Sequence, residues 1–285
     1  MIKVFFVSDL HGKISRYKKL FQSIIEKKPA VVFLGGDLLP HGIANWSSIG
    51  HQDFVNDFLV DEFEKVRQKL KKDYPRIYII LGNDDGRFDE DEIIKASSNG
   101  IWEYIHGRKT KLNDYSLYGY AYVPPTPFLL KDWERYDVSR YVDPGCVSPE
   151  EGKHSTSVVT DEFRYSTIKD DLIKLVKTDD LSKSIFLFHT PPYKTNLDRA
   201  ALDNKKIDHV PMDVNIGSIA VRQFIEERQP YITLHGHVHE SPKLTGSWQD
   251  QIGSSYMFSA AHDGPELALV QFDLDNPKQA TRELL

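Results

Sequence analysis

The chain has one cysteine, Cys146, so an internal disulfide is excluded, and the sequence fits a reducing compartment such as the cytoplasm. No run comes near the eighteen or so apolar residues of a membrane span. MIKVFFVSDL is apolar only from Val4 to Val7 before Asp9 intervenes, too short for the hydrophobic region of a secretory signal. Basic charge is not in excess either: 36 Lys and Arg stand against 42 Asp and Glu, a formal net charge of -6. That balance argues against a nucleic-acid scaffold, which needs a basic face for phosphates. It leaves a small phosphorylated substrate open, because local charge decides that. Repeats and low-complexity linkers are lacking too, and we expect a single domain over 1–285.

What is present is an apolar content of 40%, enough for a sizeable core. Short runs rich in Val, Ile and Phe read as buried strands: KVFFVS, AVVFLG, RIYIILG, SIFLFH, YITLHG, YMFSA and LALVQFDL. Helical patterns lie between them. One face of KISRYKKLFQSIIEKK gathers Ile14, Tyr17, Leu20, Phe21, Ile24 and Ile25, and DFVNDFLVDEFEKVRQKLKK repeats the design with Phe54, Phe58, Phe63, Val66 and Leu70. Further helices are predicted over Glu162–Lys177 and Ile216–Arg228. Alternating strands and helices mean βαβ units with parallel strands. The close-set strands after Ser254 are expected to pair antiparallel. From Tyr118 to Pro149 the chain is dense in Pro and Tyr without a clean period. Such a stretch reads as an ordered cap or active-site loop. Tyr122, Pro125, Phe128 and Trp133 are then candidates to face substrate, with packing against helices as the alternative.

Five of the strand runs end in residues able to bind metal. VFFVSDLHG brings Asp9 and His11, VVFLGGDLL brings Asp37, IYIILGNDD brings Asn83, Asp84 and Asp85, SIFLFHTPP brings His189, and YITLHGHVHE brings three histidines. In the last, alternation would put His237 and His239 on one side of an extended backbone, with Gly236 allowing close approach. A solitary Asp after a strand is usually a helix cap. Five such strand ends in parallel would deliver their groups to one crevice beyond the carboxyl ends.

The ordered series D-x-H, G-D, G-N, H, G-H-x-H resembles the calcineurin-like metallophosphoesterase superfamily. The resemblance runs from Asp9 to His239 and implies an α/β fold, a sandwich of two mixed β-sheets flanked by α-helices. It implies a first metal held by Asp9, His11, Asp37 and His239, and a second held by Asp37, Asn83, His189 and His237. Carboxylate, amide and imidazole donors without thiolate suit Mn, Fe, Zn, Co or Ni, with Mn favoured. Two such ions about 3.5–4 Å apart can share a hydroxide that attacks phosphorus in line. The expected enzyme is therefore a binuclear metal-dependent phosphohydrolase acting on phosphodiesters or small phosphorylated molecules. A non-hydrolytic interaction module on the same fold is the alternative, and a nuclease is disfavoured by the lack of a basic stripe.

Two places depart from the pattern: the stretch after G-D, where Leu38, Leu39, Pro40 and His41 stand in place of the usual Asp or Arg, and the residue after G-N. Most relatives read G-N-H followed by Asp or Glu, whereas this chain has Asp84 where that His stands and Asp85 after it. Asp84 is the candidate catalytic acid, with a structural role beside the metal as the alternative. His41 and His262 are substitutes for the missing imidazole, and His235 reads as a strand-end spectator. The sequence leaves the oligomeric state open.

Overall fold

The structure, a computed structural model, describes residues 2–41, 53–157 and 160–285. The first half carries β1 (Lys3–Val7), α1 (Ile14–Lys27), β2 (Val31–Gly35), α2 (Asp61–Leu70), β3 (Arg76–Ile80) and α3 (Glu90–Ser98). β4 (Glu103–Tyr104), β5 (Lys109–Leu112) and β6 (Tyr115–Tyr120) follow, then α4 (Thr160–Tyr165), α5 (Ile168–Val176) and β7 (Ser184–Phe188). After a small hairpin of β8 (Lys206–Ile207) and β9 (Val210–Pro211) come α6 (Ile219–Arg228), β10 (Ile232–His235) and α7 (Ser241–Thr245). The chain finishes with β11 (Gln249–Ile252), β12 (Ser255–Ser259), β13 (Ala268–Asp273) and β14 (Asn276–Leu284).

These strands form two mixed six-stranded sheets, in the orders β14-β13-β1-β2-β3-β4 and β11-β12-β10-β7-β6-β5. β1, β2, β3 and β4 are parallel, as are β12, β10, β7 and β6, while β13, β14, β11 and β5 are added antiparallel. The central strands are buried along their whole length, as expected of parallel strands covered on both faces. Helix α1 buries Tyr17, Leu20, Phe21 and Ile24, the stripe its spacing predicts. The α/β sandwich of two mixed sheets flanked by helices is thus the fold of this chain.

Several local expectations are corrected. The five donor-bearing strands do not share a sheet: β1, β2 and β3 lie in one, β7 and β10 in the other, and both sets end at the same edge of the sandwich. β12 and β13 pair with different neighbours in different sheets, because β12 extends β10 in parallel and β13 turns back on β1. The helix expected over 53–72 opens with a π-helical stretch, Phe54–Val60, before α2. The helix expected over 162–177 is broken before Ile168, where Thr167 caps α5 by accepting from Asp170 N–H at 3.0 Å. The helix expected from Ile216 starts at Ile219, with Ser218 as its cap.

The irregular segment begins later than Tyr118, since β6 runs to Tyr120. From there it is pinned by backbone bonds, Val123 N–H to Trp133 C=O at 2.9 Å and Arg135 N–H to Val123 C=O at 3.0 Å. A fully buried Lys131–Glu134 ion pair at 2.5 Å sits within it. Trp133 and Tyr122 pack into the body against His106, with ring centroids 5.1 Å away in each case. The packing alternative therefore holds for these two aromatics. Phe128 is exposed at 59%, and Pro125 is half-buried.

Candidate metal centre

Short turns beyond the strand ends aim the donors. Asp9 and His11 follow β1, Asp37 follows β2, Asn83 to Asp85 follow β3, His189 follows β7, and His237 and His239 follow β10. Asp9, His11, Asp37 and His237 all have positive φ, between 48° and 72°. Asp and His tolerate that region better than most residues, yet each such residue costs about 1 kcal/mol or more. Four at one place is strain concentrated where the donors must turn inward.

Three glycines leave the room. A Cβ on Gly82 would lie 2.5 Å from Asp37 N and 2.7 Å from His189 Nε2, one on Gly36 2.7 Å from His189 Nδ1, and one on Gly236 2.7 Å from Asp9 Oδ2. Only glycine permits the backbone to approach this closely.

The donors fall into two groups that share Asp37. Ligand atoms of Asp9, His11, Asp37 and His239 all lie within 4.8 Å of one another, and so do those of Asp37, His189 and His237. His11 Nε2 and His239 Nε2 are 3.1 Å apart, and His239 Nε2 is 3.1 Å from Asp9 Oδ1. Asn83 Oδ1 lies 3.2 Å from His189 Nε2, which is 3.3 Å from Asp37 Oδ2. Adjacent ligands on one ion with bonds of about 2.0–2.1 Å would be separated by roughly 3.0–3.3 Å, so the donors fit divalent cations in spacing as well as chemistry. His237 and His239 do not converge on one point as an extended strand would place them. β10 ends at His235, His237 is left-handed, and the two imidazoles join different groups.

Electrostatics point the same way. Burial pushes the Asp9 carboxyl up, but the hydrogen bond and charge of His239, with the charge of His189, bring it down to about 2. Asp37 is likewise buried, and His189 holds it well below the carboxylate range. Burial lowers His189, but Asp37 outweighs it and raises the imidazole to about 10. Two buried carboxylates are thus kept ionised by whatever positive charge the cluster can find.

Surrounding groups hold the donors. His189 Nδ1 lies 2.8 Å from Gly35 C=O, turning Nε2 toward Asp37. Asp37 Oδ1 accepts from Asp84 N–H at 2.8 Å, and Ser8 donates to Asp9 Oδ2. Two further residues are part of this frame: Asp85, named from sequence among the residues able to bind metal, and Arg16, given no role there. Asp85, fully buried, accepts from Leu38 and Leu39 N–H at 2.9 and 2.7 Å and from Gly82 N–H at 2.8 Å, tying the turn after β2 to the turn after β3. Its place after G-N-x was the available signal. Arg16, on α1 and buried, donates to the carbonyls of Asp9 and Gly264. No sequence pattern marked it.

Asp84 lies at the half-open side, its Oδ2 3.3 Å from His11 Nδ1 and 3.6 Å from His41 Nδ1. Burial and Asp37 push it up to about 7. His41 is mostly exposed beside it. His262 turns instead to Glu266, Nε2 to Oε2 at 2.9 Å. His235 is a buried spectator bonded to Thr190 C=O and Thr233 Oγ1, both at 2.8 Å, rather than a group facing water. No described helix is long and apolar enough to cross a membrane.

Residues 2–241 match the calcineurin-like phosphoesterase family. Phosphodiesterase YfcE of Escherichia coli (strain K12) is 20% identical over 200 residues, spanning 64% of this chain and 95% of YfcE. TT1561 of Thermus thermophilus aligns over 99% of this chain and 98% of its own, with a TM-score of 0.55 at 14% identity. The phosphopantetheinyl hydrolase PptH of Mycobacterium tuberculosis covers 91% of this chain and 89% of its own, with a TM-score of 0.51 at 11% identity. At these identities the solved structures speak for the fold alone. The family match extends from β1 through the last of the clustered histidines, and the chain therefore belongs to the calcineurin-like phosphoesterases and is a metal-dependent phosphoester hydrolase.

Proposed function

We propose that the chain hydrolyses phosphodiesters or small phosphorylated molecules with two divalent cations. One would be held by Asp9, His11, Asp37 and His239 and the other by Asp37, Asn83, His189 and His237, Asp37 serving both. The observation that carries this reading is the pair of donor groups sharing one buried carboxylate. Diesters are the first choice because the curated relative YfcE is a phosphodiesterase. Manganese is the favoured metal among Mn, Fe, Zn, Co and Ni. Bound there, the cations would supply water activation and charge neutralisation at the phosphoryl oxygens.

The remaining work belongs to the chain. Gly35 C=O fixes the His189 ring, Ser8 and His237 N–H fix the Asp9 carboxylate, and Asp85 holds the two turns in register. The half-open side is bordered by His11, Asp84, His41 and His239, and the substrate's phosphoryl group enters there. Nearby cations would favour the ionised form of Asp84, so its role in this reading is to accept from His11 Nδ1–H and hold that ring toward the cluster. The segment after β6 would act as a cap through its exposed edge near Phe128 rather than through Trp133.

The test is hydrolysis of bis-p-nitrophenyl phosphate after chelation. Adding Mn or Ni should restore turnover in the native chain and leave Asp37→Ala inactive. Absence of turnover with every metal in the panel, in both proteins, would refute the proposal.

A further inference from the structure

Asn83 reaches the cluster on a turn with two ends. The near end is fixed by Asp85, which accepts from Gly82 N–H at 2.8 Å and from Leu38 N–H at 2.9 Å. The far end is the 3₁₀ turn Arg87–Asp89 that leads into α3, and it starts from Gly86, which has no side chain to cap it.

Two residues far along the chain cap it instead. Arg87 N–H donates to Asp132 Oδ2 at 2.8 Å, and Phe88 N–H donates to Ser155 Oγ at 3.1 Å. Ser155 is itself tied to Asp132, giving its N–H to Oδ1 at 2.8 Å and its hydroxyl to Oδ2. The contact with Arg87 is reciprocal, because Arg87 Nη2 donates to Asp132 C=O at 2.7 Å and to Tyr122 OH at 2.8 Å. The same guanidinium lies 4.4 Å over the Trp133 ring. Asp132 is fully buried, so removing its carboxylate would leave these donors without water to replace it.

A brace positions something only if it is itself held. Residues 132–137 are held from three directions. Trp133 C=O accepts from Val123 N–H at 2.9 Å, Tyr136 C=O from Ile168 N–H at the start of α5 at 2.7 Å, and Asp137 Oδ2 from Ile219 N–H at the start of α6 at 2.7 Å. The segment is therefore part of the body of the fold, and what it grips is the far end of the Asn83 turn.

We propose that Asp132 is a positioning residue for Asn83: by holding Arg87 and, through Ser155, Phe88, it keeps the turn in the place from which Asn83 Oδ1 meets His189 Nε2 at 3.2 Å. This role rests on the two-cation reading, in which Asn83 is a ligand of the second ion. Contacts that orient a metal ligand from outside are worth about 10–100-fold in metal affinity.

The test is calorimetric titration of the metal-free full-length protein with manganese chloride. Native protein should show two binding components, and Asn83→Ala names the second by weakening or abolishing it. Asp132→Ala should weaken that same component at least tenfold. Asp132→Asn, which keeps an acceptor for Arg87 N–H, should lose less than tenfold. Ser155→Ala should weaken it threefold or more, and it carries the comparison if Asp132→Ala does not fold. Thr167→Ala removes the cap of α5 and destabilises the chain away from both donor turns, so it should leave the component within threefold. A component unchanged in Asp132→Ala and Ser155→Ala, a loss confined to the other component, or an equal loss in Thr167→Ala overturns the role of Asp132 and leaves the two-cation reading standing. Fewer than two components in native protein overturns that reading, and this role with it.

Discussion

Gly82→Ala tests whether the donors are held by packing that nothing nearby can relax. Gly82 is outside the left-handed region, so the substitution adds no backbone strain and its effect is steric. The new methyl would stand 2.5 Å from Asp37 N and 2.7 Å from His189 Nε2, where ordinary contact begins at 3.4 Å. Asp37 Oδ1 would lie nearer still, so either the turn after β3 or the Asp37–His189 pair must shift by about 0.7–1.1 Å. Overpacking of this kind costs about 1–3 kcal/mol. For a chain of this length the unfolding entropy is roughly 0.6 kcal/mol per degree, so Tm should fall by about 2–5 °C. A displacement near 1 Å at reacting groups lowers turnover by about 10²-fold. Steady-state hydrolysis of an aryl phosphodiester with saturating Mn, alongside a thermal melt, measures both. Gly246→Ala, whose Cβ meets nothing within 4 Å but whose φ of 75° strains an alanine, is the control for turnover: it should lower Tm through backbone strain away from the donors and keep near-native turnover. A Gly82→Ala enzyme within threefold of native kcat and with unchanged Tm would refute the reasoning.

Other outcomes follow from the same geometry. His106 has a folded pKa of about 3 against about 6.5 unfolded, so below pH 6.5 the unfolded chain takes a proton that the folded chain refuses. Stability is then lost progressively from pH 6.5 toward 3, by about 2.7 kcal/mol at pH 4.5, and chemical denaturation should show a shallower loss in His106→Gln; equal slopes would contradict it. Arg16→Met deprives the Asp9 and Gly264 carbonyls of their buried donor, which should cost about 2–3 kcal/mol in urea unfolding and weaken metal binding; unchanged metal affinity would show that Arg16 does not position Asp9. Asp84→Ala should lower metal affinity or turnover about 10–100-fold, while Asp84→Asn, still able to accept from His11, should lose less than tenfold. If Asp84→Ala changes the dependence of rate on leaving-group pKa, Asp84 is a proton donor instead.

The donor set was legible because each member follows an apolar run, and an apolar run that ends in Asp, Asn or His announces where its side chain is delivered. The division into two sheets was not legible, since parallel strands buried on both faces look alike whichever sheet they join. β14 escaped because it is a largely exposed edge strand with no alternating apolar face. β5 and β6 were missed although Asn113, at φ 52°, makes the turn between them with Asp114, a hairpin signal that could have been read. The break before α5 was also written in the sequence, as the T-x-x-D of Thr167 and Asp170, whose side chains bond at 2.8 Å. Arg16 had no such trace, because it and the carbonyls of Asp9 and Gly264 are brought together only by the tertiary fold.

The most direct measurement is anomalous diffraction at the manganese edge from crystals grown with Mn. Two peaks are expected, one among Asp9, His11, Asp37 and His239, the other among Asp37, Asn83, His189 and His237, with Asp37 touching both. Peaks elsewhere, or a cluster that stays free of metal at saturating Mn, would contradict a two-cation centre built on these seven side chains.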